Sequence, residues 1–309
     1  MHYLLPKKAE VRMIRALGYI GFEASNLGAW KTYASDIVGL QIGEQLEDGT
    51  LVLRADEYQK RIFIQPGDSN DIAYCGWETT NKAALEYFCE HVRSKGIEIK
   101  TASRELTKLR GVVEMAYFHD PEGLRHEIYF GAVVTNHKPF VSPLGNPPFL
   151  TGEQGIGHIV IGSQNYEQQS NFFEVIMGFK ITDFNDLKIV GLPFEGHLTF
   201  FRCNPRHHSL ALGNFMLGKG KFNHLMLEVS SLEEVGLAYE RAKKAGVHIL
   251  MDIGQHTNDK VLSFYMLTPS GWAIEVGWGA ISINEETWHV THHPEPSIWG
   301  HTFHLPNHK

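Results

Sequence analysis

GKFNHLMLEVSSLEEVGLAYERAKKAG, residues 220 to 246, is the stretch on which the fold turns. Its opening alternates, with Leu225, Leu227 and Val229 on one side of an extended strand and His224, Met226 and Glu228 on the other. A helix follows and stops at Gly246. One histidine at the start of an aliphatic strand reads, taken alone, as a hydrogen-bonded core residue. Its meaning changes because the same pattern is written elsewhere in the chain.

Upstream, DIAYCGWETTNKAALEYFCEHVRSKG (71–96) repeats the strand and helix, with a cap near Thr80 or Asn81 and a stop at Lys95-Gly96. Earlier still, LGYIGFEASNLGAWKTYASDIVG (17–39) reads as a strand, a turn at Ser25-Asn26, and a helix carrying Trp30, Tyr33 and Ile37 that ends at Gly39. LVLRA (51–55) and RIFIQPG (61–67) are short strands, and two more flank the Asp120-Pro121-Glu122-Gly123 turn. The segment 136–154 holds four prolines and forms a linker in which no helix or central strand is expected.

Beyond the linker the first half is written again. Gly18 and Gly39 have the same spacing as Gly157 and Gly178; Gly96 matches Gly246; Pro121 and Gly123 match Pro269 and Gly271. The expected fold is α+β, with two tandem pseudo-symmetric domains, each of two βαβββ modules whose curved sheets face one another across a cleft. The expected boundaries are an extension at 1–12, a first domain at 13–135, the linker at 136–154, a second domain at 155–284, and a tail at 285–309.

The differences between the halves locate the chemistry. Tyr19 corresponds to His158, Tyr74 to His224 and Glu127 to Glu275, so two histidines and a glutamate stand where the first half has two tyrosines and a glutamate. Each sits opposite an aliphatic face, and a curved sheet brings such residues together. Two neutral imidazoles and a carboxylate form the facial set used by non-haem Fe(II), with three positions left open. Zinc or Mn(II) could take the same donors, although the His-Glu-x-x-His helix of many zinc hydrolases is absent.

Composition narrows the field. The chain has 309 residues, 43% of them apolar, so it can bury a large core. It lacks an apolar run of roughly 18 residues and the apolar core of a signal peptide, so a cytoplasmic location without membrane contact is expected. With 28 basic and 35 acidic residues and no long basic block, there is no footprint for nucleic acid. Cys75, Cys89 and Cys203 are too scattered for a disulfide framework and are expected to be reduced. Histidine is abundant at 18 residues, and His289, His292, His293, His301, His304 and His308 in the tail are expected at the surface.

The motifs GHIV at His158, CNPRHHSLA around His208, FNHLMLEV at His224, the stretch from Gly254 to Gly279, and PSIWGH near the end resemble those of the type I extradiol ring-cleavage dioxygenases of the vicinal oxygen chelate superfamily. The likeness is greatest to the 2,3-dihydroxybiphenyl 1,2-dioxygenases and their steroid-catechol relatives, and it runs from Leu17 onward. The resemblance implies a glyoxalase-like fold, Fe(II) held by His158, His224 and Glu275, and cleavage of an aryl-substituted or polycyclic catechol by O2 to a hydroxy-oxo-dienoate. It places the acid–base histidine at His208 and the other pocket groups at His256 and Tyr265. Val160, Phe200, Asn258, Asp259 and Pro296 would line the substrate pocket. His208 is preferred to His207 because it shares the alternation of Leu210 and Leu212.

Alternatives stay open at this point: a steroid catechol or 1,2-dihydroxynaphthalene as substrate, another metalloenzyme of the superfamily, or a ligand-binding protein on the same fold. The 296–301 tail is expected to fold back as a lid, and the chain to form a homo-oligomer.

Overall fold

The computed structural model describes residues 13–188, 195–215 and 220–306. The first module comprises β1 (Ile14–Ala24), α1 (Leu27–Thr32), β2 (Gln41–Gln45), β3 (Leu51–Arg54) and β4 (Ile62–Pro66). The second comprises β5 (Ile72–Thr79), α2 (Lys82–Ser94), β6 (Lys100–Thr101), α3 (Arg104–Arg110), β7 (Val112–His119) and β8 (Arg125–Ala132). The third has β9 (His158–Gly162), α4 (Tyr166–Asn171), β10 (Lys180–Lys188), β11 (Glu195–Arg202) and β12 (Leu210–Gly213). The fourth has β13 (Phe222–Glu228), α5 (Leu232–Lys244), β14 (Ile249–His256), β15 (Leu262–Leu267) and β16 (Ala273–Trp278), and the tail adds β17 (Thr291–His293) and β18 (Ser297–Trp299).

The module order matches the repeat, but each pair of modules shares one continuous sheet where two facing sheets were expected. The first half has eight strands in the order β2-β3-β4-β1-β5-β8-β7-β6. The second half repeats it as β10-β11-β12-β9-β13-β16-β15-β14, with β17 and β18 added at the two edges. The antiparallel pairs β1–β5 and β9–β13 join the modules.

Local chemistry accounts for the helix ends. The Asn81 side chain accepts from the Ala84 N–H at the start of α2, and the Ser231 hydroxyl accepts from the Glu234 N–H at the start of α5. Gly96 and Gly246 follow those helices at φ 77° and 70°, where a side chain would be strained. The first helix is shorter than its periodicity suggested, because after Thr32 it widens into a π-helix (Tyr33–Val38) that ends at Gly39.

Strand alternation sorts the side chains onto two faces. Leu225, Leu227, Ile159, Ile274 and Val276 enter one large apolar core that also holds Leu17, Ile20, Phe22 and Trp77 of the first half. The halves interlock through it: Phe22 packs on Phe222 and Trp272 at 4.8 and 4.3 Å between ring centroids, and Trp77 on Phe179 at 4.9 Å. Polar contacts add to the seam, with Asp71 accepting the backbone N–H groups of Lys221 and Phe222 where β13 begins. The opposite faces carry separate small clusters, one around Tyr19 and Tyr74, the other around Val160 and Phe200.

In the linker, Phe140 and Phe149 are buried and the only regular piece is a short turn at Gly152–Gln154. The tail departs furthest from expectation. His289, His292 and His304 are exposed, but His301 is 7% exposed, held between Ser297 and Ser263. Residues 1–12 and His308 lie outside the described residues. No helix among the described residues is long and apolar enough to cross a membrane.

Candidate metal centre

Strand register brings the three donors together. His158 on β9 lies opposite Met226 on β13, which in turn lies opposite Glu275 on β16, while His224 lies opposite Val160. All three pairings have counterparts in the first half: Tyr19 opposite Gly76, Gly76 opposite Glu127, and Tyr74 opposite Gly21. The correspondence inferred from spacing is therefore a correspondence in space.

Glu275 Oε2 stands 3.2 Å from His158 Nε2 and 3.3 Å from His224 Nε2. The ligand atoms of the three residues all lie within 4.8 Å of one another. Glu275 is 1% exposed, His158 4% and His224 8%. Despite this closeness, both Glu275 oxygens and the His224 Nε2 make no properly aligned hydrogen bond. A buried carboxylate left so is costly. Nitrogen and oxygen lone pairs aimed at a common point are what a bound cation requires, so the donor set fits a divalent metal.

Electrostatics agree. Burial alone would raise the Glu275 carboxyl, but the imidazoles of His158, His224 and His256 around it hold it well below the usual carboxylate range, so it is an anion. Burial lowers His158 against the pull of Glu275, which favours a neutral, ligating ring.

Three further residues surround this set. His208 is 2% exposed, with its ring 3.8 Å from that of His158 and 4.7 Å, edge-on, from Phe200. Burial, then the neighbouring His158 and His207, push it well below the ordinary histidine value, so it is neutral. The alternation argument for choosing it does not hold: Leu210 and Leu212 face the main core, whereas His208 lies before β12, in a loop where strand period does not apply. Tyr265 on β15 lies opposite Glu275 and packs edge-on to His224 at 5.0 Å. Its hydroxyl is 2.7 Å from His256 Nε2. Burial and then Glu275 raise the phenol well above its ordinary value, so it keeps its proton. Burial draws His256 down, but Glu275 at 3.5 Å outweighs it and pushes the ring up to about 9.

The apolar residues form one wall. Val160 and Phe200 cluster with Leu198, Ala211 and Phe215, beside His208. Asn258 and Asp259 are buried in the β14–β15 turn, Asp259 accepting from the Val261 N–H and Asn258 Nδ2 having no partner among the described residues. Pro296 reaches the site through its backbone, its carbonyl accepting from His256 Nδ1–H. β18 pairs with β14 here, so the tail is a fixed edge strand next to His256 rather than a free flap.

Sequence reading missed His301, whose ring is 4.3 Å from that of His256 and which burial and then His256 push down to about 3. It also missed Asp183 and the role of His207. A glycine-histidine pair at the end of the PSIWGH motif was the available signal for His301; nothing local marks Asp183.

Comparison with known proteins agrees with this geometry. Residues 155–276 match the Glyoxalase/Bleomycin resistance protein/Dioxygenase superfamily, and residues 17–67 match the dihydroxybiphenyl dioxygenase BphC D1 family. The chain is 38% identical over 288 residues to the biphenyl-2,3-diol 1,2-dioxygenase of Metapseudomonas furukawaii, covering 93% of each. It is 37% identical to the iron-dependent extradiol dioxygenase of Rhodococcus jostii (strain RHA1), over 94% of this chain and 97% of that one. Among solved structures, BphC, a halotolerant catechol dioxygenase, superposes with a TM-score of 0.87 at 34% identity, covering 96% of this chain and 97% of that one. Identity of this extent, over nearly the whole length of both chains, means that the protein belongs to the extradiol dioxygenase family.

Proposed function

We propose that the chain is an Fe(II)-dependent extradiol dioxygenase that opens an aryl-substituted catechol of the 2,3-dihydroxybiphenyl type beside its two hydroxyls. The observation that carries this reading is the Glu275 carboxylate, buried and unbonded at equal reach of two imidazoles. His158, His224 and Glu275 would hold the ion. When bound there, Fe(II) supplies a common site for the catechol oxygens and O2.

The chain's own groups supply the rest. Tyr265, a protonated phenol, donates a hydrogen bond toward a deprotonated catechol oxygen. His256 is oriented by the Pro296 carbonyl on one nitrogen and reaches Tyr265 with the other, so the two act as a pair. His208 is neutral, dry and has a free Nε2, which suits it to take a proton from the substrate and return it as the ring opens. Val160, Phe200 and their apolar neighbours accept the second ring and exclude water. Asn258, Asp259 and Pro296 border the same space.

The test is direct. Anaerobically iron-loaded protein given 2,3-dihydroxybiphenyl and then air should take up one O2 per catechol and turn yellow as the dienoate forms. Iron-loaded protein that binds the diol without oxygen uptake would overturn the reading. Running 1,2-dihydroxynaphthalene, 3-methylcatechol and a steroid catechol alongside ranks the substrates. Buried Cys75, Cys89 and Cys203, outside any disulfide, suit a cytoplasmic enzyme. Exposed Ile298, Trp299 and Leu305 on the tail suit a homo-oligomer, which light scattering would read.

A further inference from the structure

Next to the metal-ligand set lies a second chain of buried polar groups. Asp183 on β10 is 0% exposed and His207 1%. Asp183 Oδ2 stands 3.0 Å from His207 Nε2, close but without the straight line of a strong hydrogen bond. On its other side, His207 Nδ1 is 3.1 Å from His208 Nδ1. The loop is fixed from several directions: the Thr182 hydroxyl donates to the His207 carbonyl, the Trp288 indole N–H donates to the Thr182 carbonyl, and the Trp288 ring stands edge-on to His207 at 5.6 Å. His293 Nε2, from β17, is the other group facing Asp183, at 3.7 Å.

These distances decide where the protons sit. A bare His207 Nε2 facing a carboxylate oxygen at 3.0 Å would set two lone pairs against each other, so His207 carries its proton on Nε2. With that one ring proton, His207 Nδ1 is left as an acceptor, the form that suits both the Asp183 contact and the His208 contact. The Nδ1–Nδ1 contact then requires His208 to donate from its own Nδ1, and the His208 Nε2 is left bare. That nitrogen is buried and has no partner among the described residues. Of the trio of His207, His208 and Asp259, whose ligand atoms also lie within 4.8 Å, the two histidines are joined by this contact and Asp259 accepts from the Val261 N–H.

We propose that Asp183 and His207 are positioning residues that set the tautomer of His208, so that it meets the catechol with a proton-accepting Nε2. The inference rests on the reading of His208 as the proton-transfer group. In the step it prepares, one proton leaves a catechol O–H for His208 Nε2 and the same proton returns to the substrate during ring opening. No other reactant is needed. The imidazolium formed in between keeps its Nδ1–H bond to His207 and is faced, through that ring, by the Asp183 carboxylate.

Asp183→Asn tests this. An amide can donate to His207 Nε2, which moves the His207 proton to Nδ1 and forces the His208 proton onto Nε2. We expect kcat to fall about 100-fold, with KM within about twofold and iron content unchanged, as for loss of a correctly presented base. The second readout is the tautomer itself, from long-range proton–nitrogen correlation spectra of metal-free protein labelled with 15N-histidine and assigned with His207→Gln and His208→Gln. In the wild type His208 should be protonated on Nδ1, and in Asp183→Asn on Nε2. A wild-type His208 protonated on Nε2 overturns the proposal even if the variant fails to fold, as does an Asp183→Asn enzyme of wild-type kcat. If His208→Gln slows turnover while Asp183→Asn does not, the positioning role alone is lost; if His208→Gln turns over normally, the proton-transfer role falls with it.

Discussion

The two halves of this chain present the same three positions in the same register and fill them for opposite purposes. In the second half, His158, His224 and Glu275 converge with unspent lone pairs. In the first, the Glu127 carboxylate is fully spent. Arg110 donates to it twice, at 2.7 and 3.0 Å, Arg125 stands 2.9 Å away, and the Tyr19 hydroxyl donates at 2.6 Å. The Arg110 guanidinium also lies 3.9 Å over the Tyr74 ring. An organic cation thus stands where the other half has room for a metal ion. The larger tyrosine rings need space, and glycines provide it: Gly76 lies under Tyr19 and Gly21 under Tyr74, where the second half has Met226 and Val160. The same sheet geometry builds an ion pair in one half and a metal-binding set in the other, and the choice rests on the side chains at these few positions.

The largest break in that contrast should come from Glu275→Gln, which removes the anionic ligand. Iron retention should be lost and turnover fall more than about 1,000-fold, checked by metal analysis and oxygen uptake. Glu127→Gln strands two buried guanidinium groups instead. It should cost about 3–5 kcal/mol in denaturant unfolding while iron content is unchanged at permissive temperature. His208→Gln separates catalysis from binding, and kcat should drop about 100-fold or more with iron still bound. Gly21→Ala would place a Cβ 2.1 Å from the Tyr74 ring, so a loss of about 1–3 kcal/mol is expected, again without effect on iron. Smallest of the five, Tyr265→Phe removes one hydrogen bond to the bound diolate and should lower kcat about tenfold.

How far the sequence reached follows from what each signal depends on. Spacing between glycines survives duplication because those glycines sit at turns with positive φ, such as Gly39, Gly96, Gly123 and their counterparts. That is why the pairing of Tyr19 with His158 and of Glu127 with Glu275 matches the observed register. Alternation identified the aliphatic faces of β9, β13 and β16 for the same reason. It failed at His208, which lies in a loop. It also gave no warning of α3, a seven-residue helix that delivers Arg110 to the first-half cleft. The tail histidines were read as surface because the strands that carry or flank them are only three residues long; β17 and β18 exist only as additions to edges that the rest of the sheet supplies. Asp183 was invisible because its partner His207 is distant in sequence and no motif links them.

Anaerobic titration of metal-free protein with Fe(II), with bound iron counted per chain for the wild type, Glu127→Gln and Glu275→Gln, tests the contrast most directly. One iron per chain in the wild type and in Glu127→Gln, and none retained in Glu275→Gln, is the expected result. Two irons per wild-type chain, or iron held by Glu275→Gln and lost from Glu127→Gln, would contradict it.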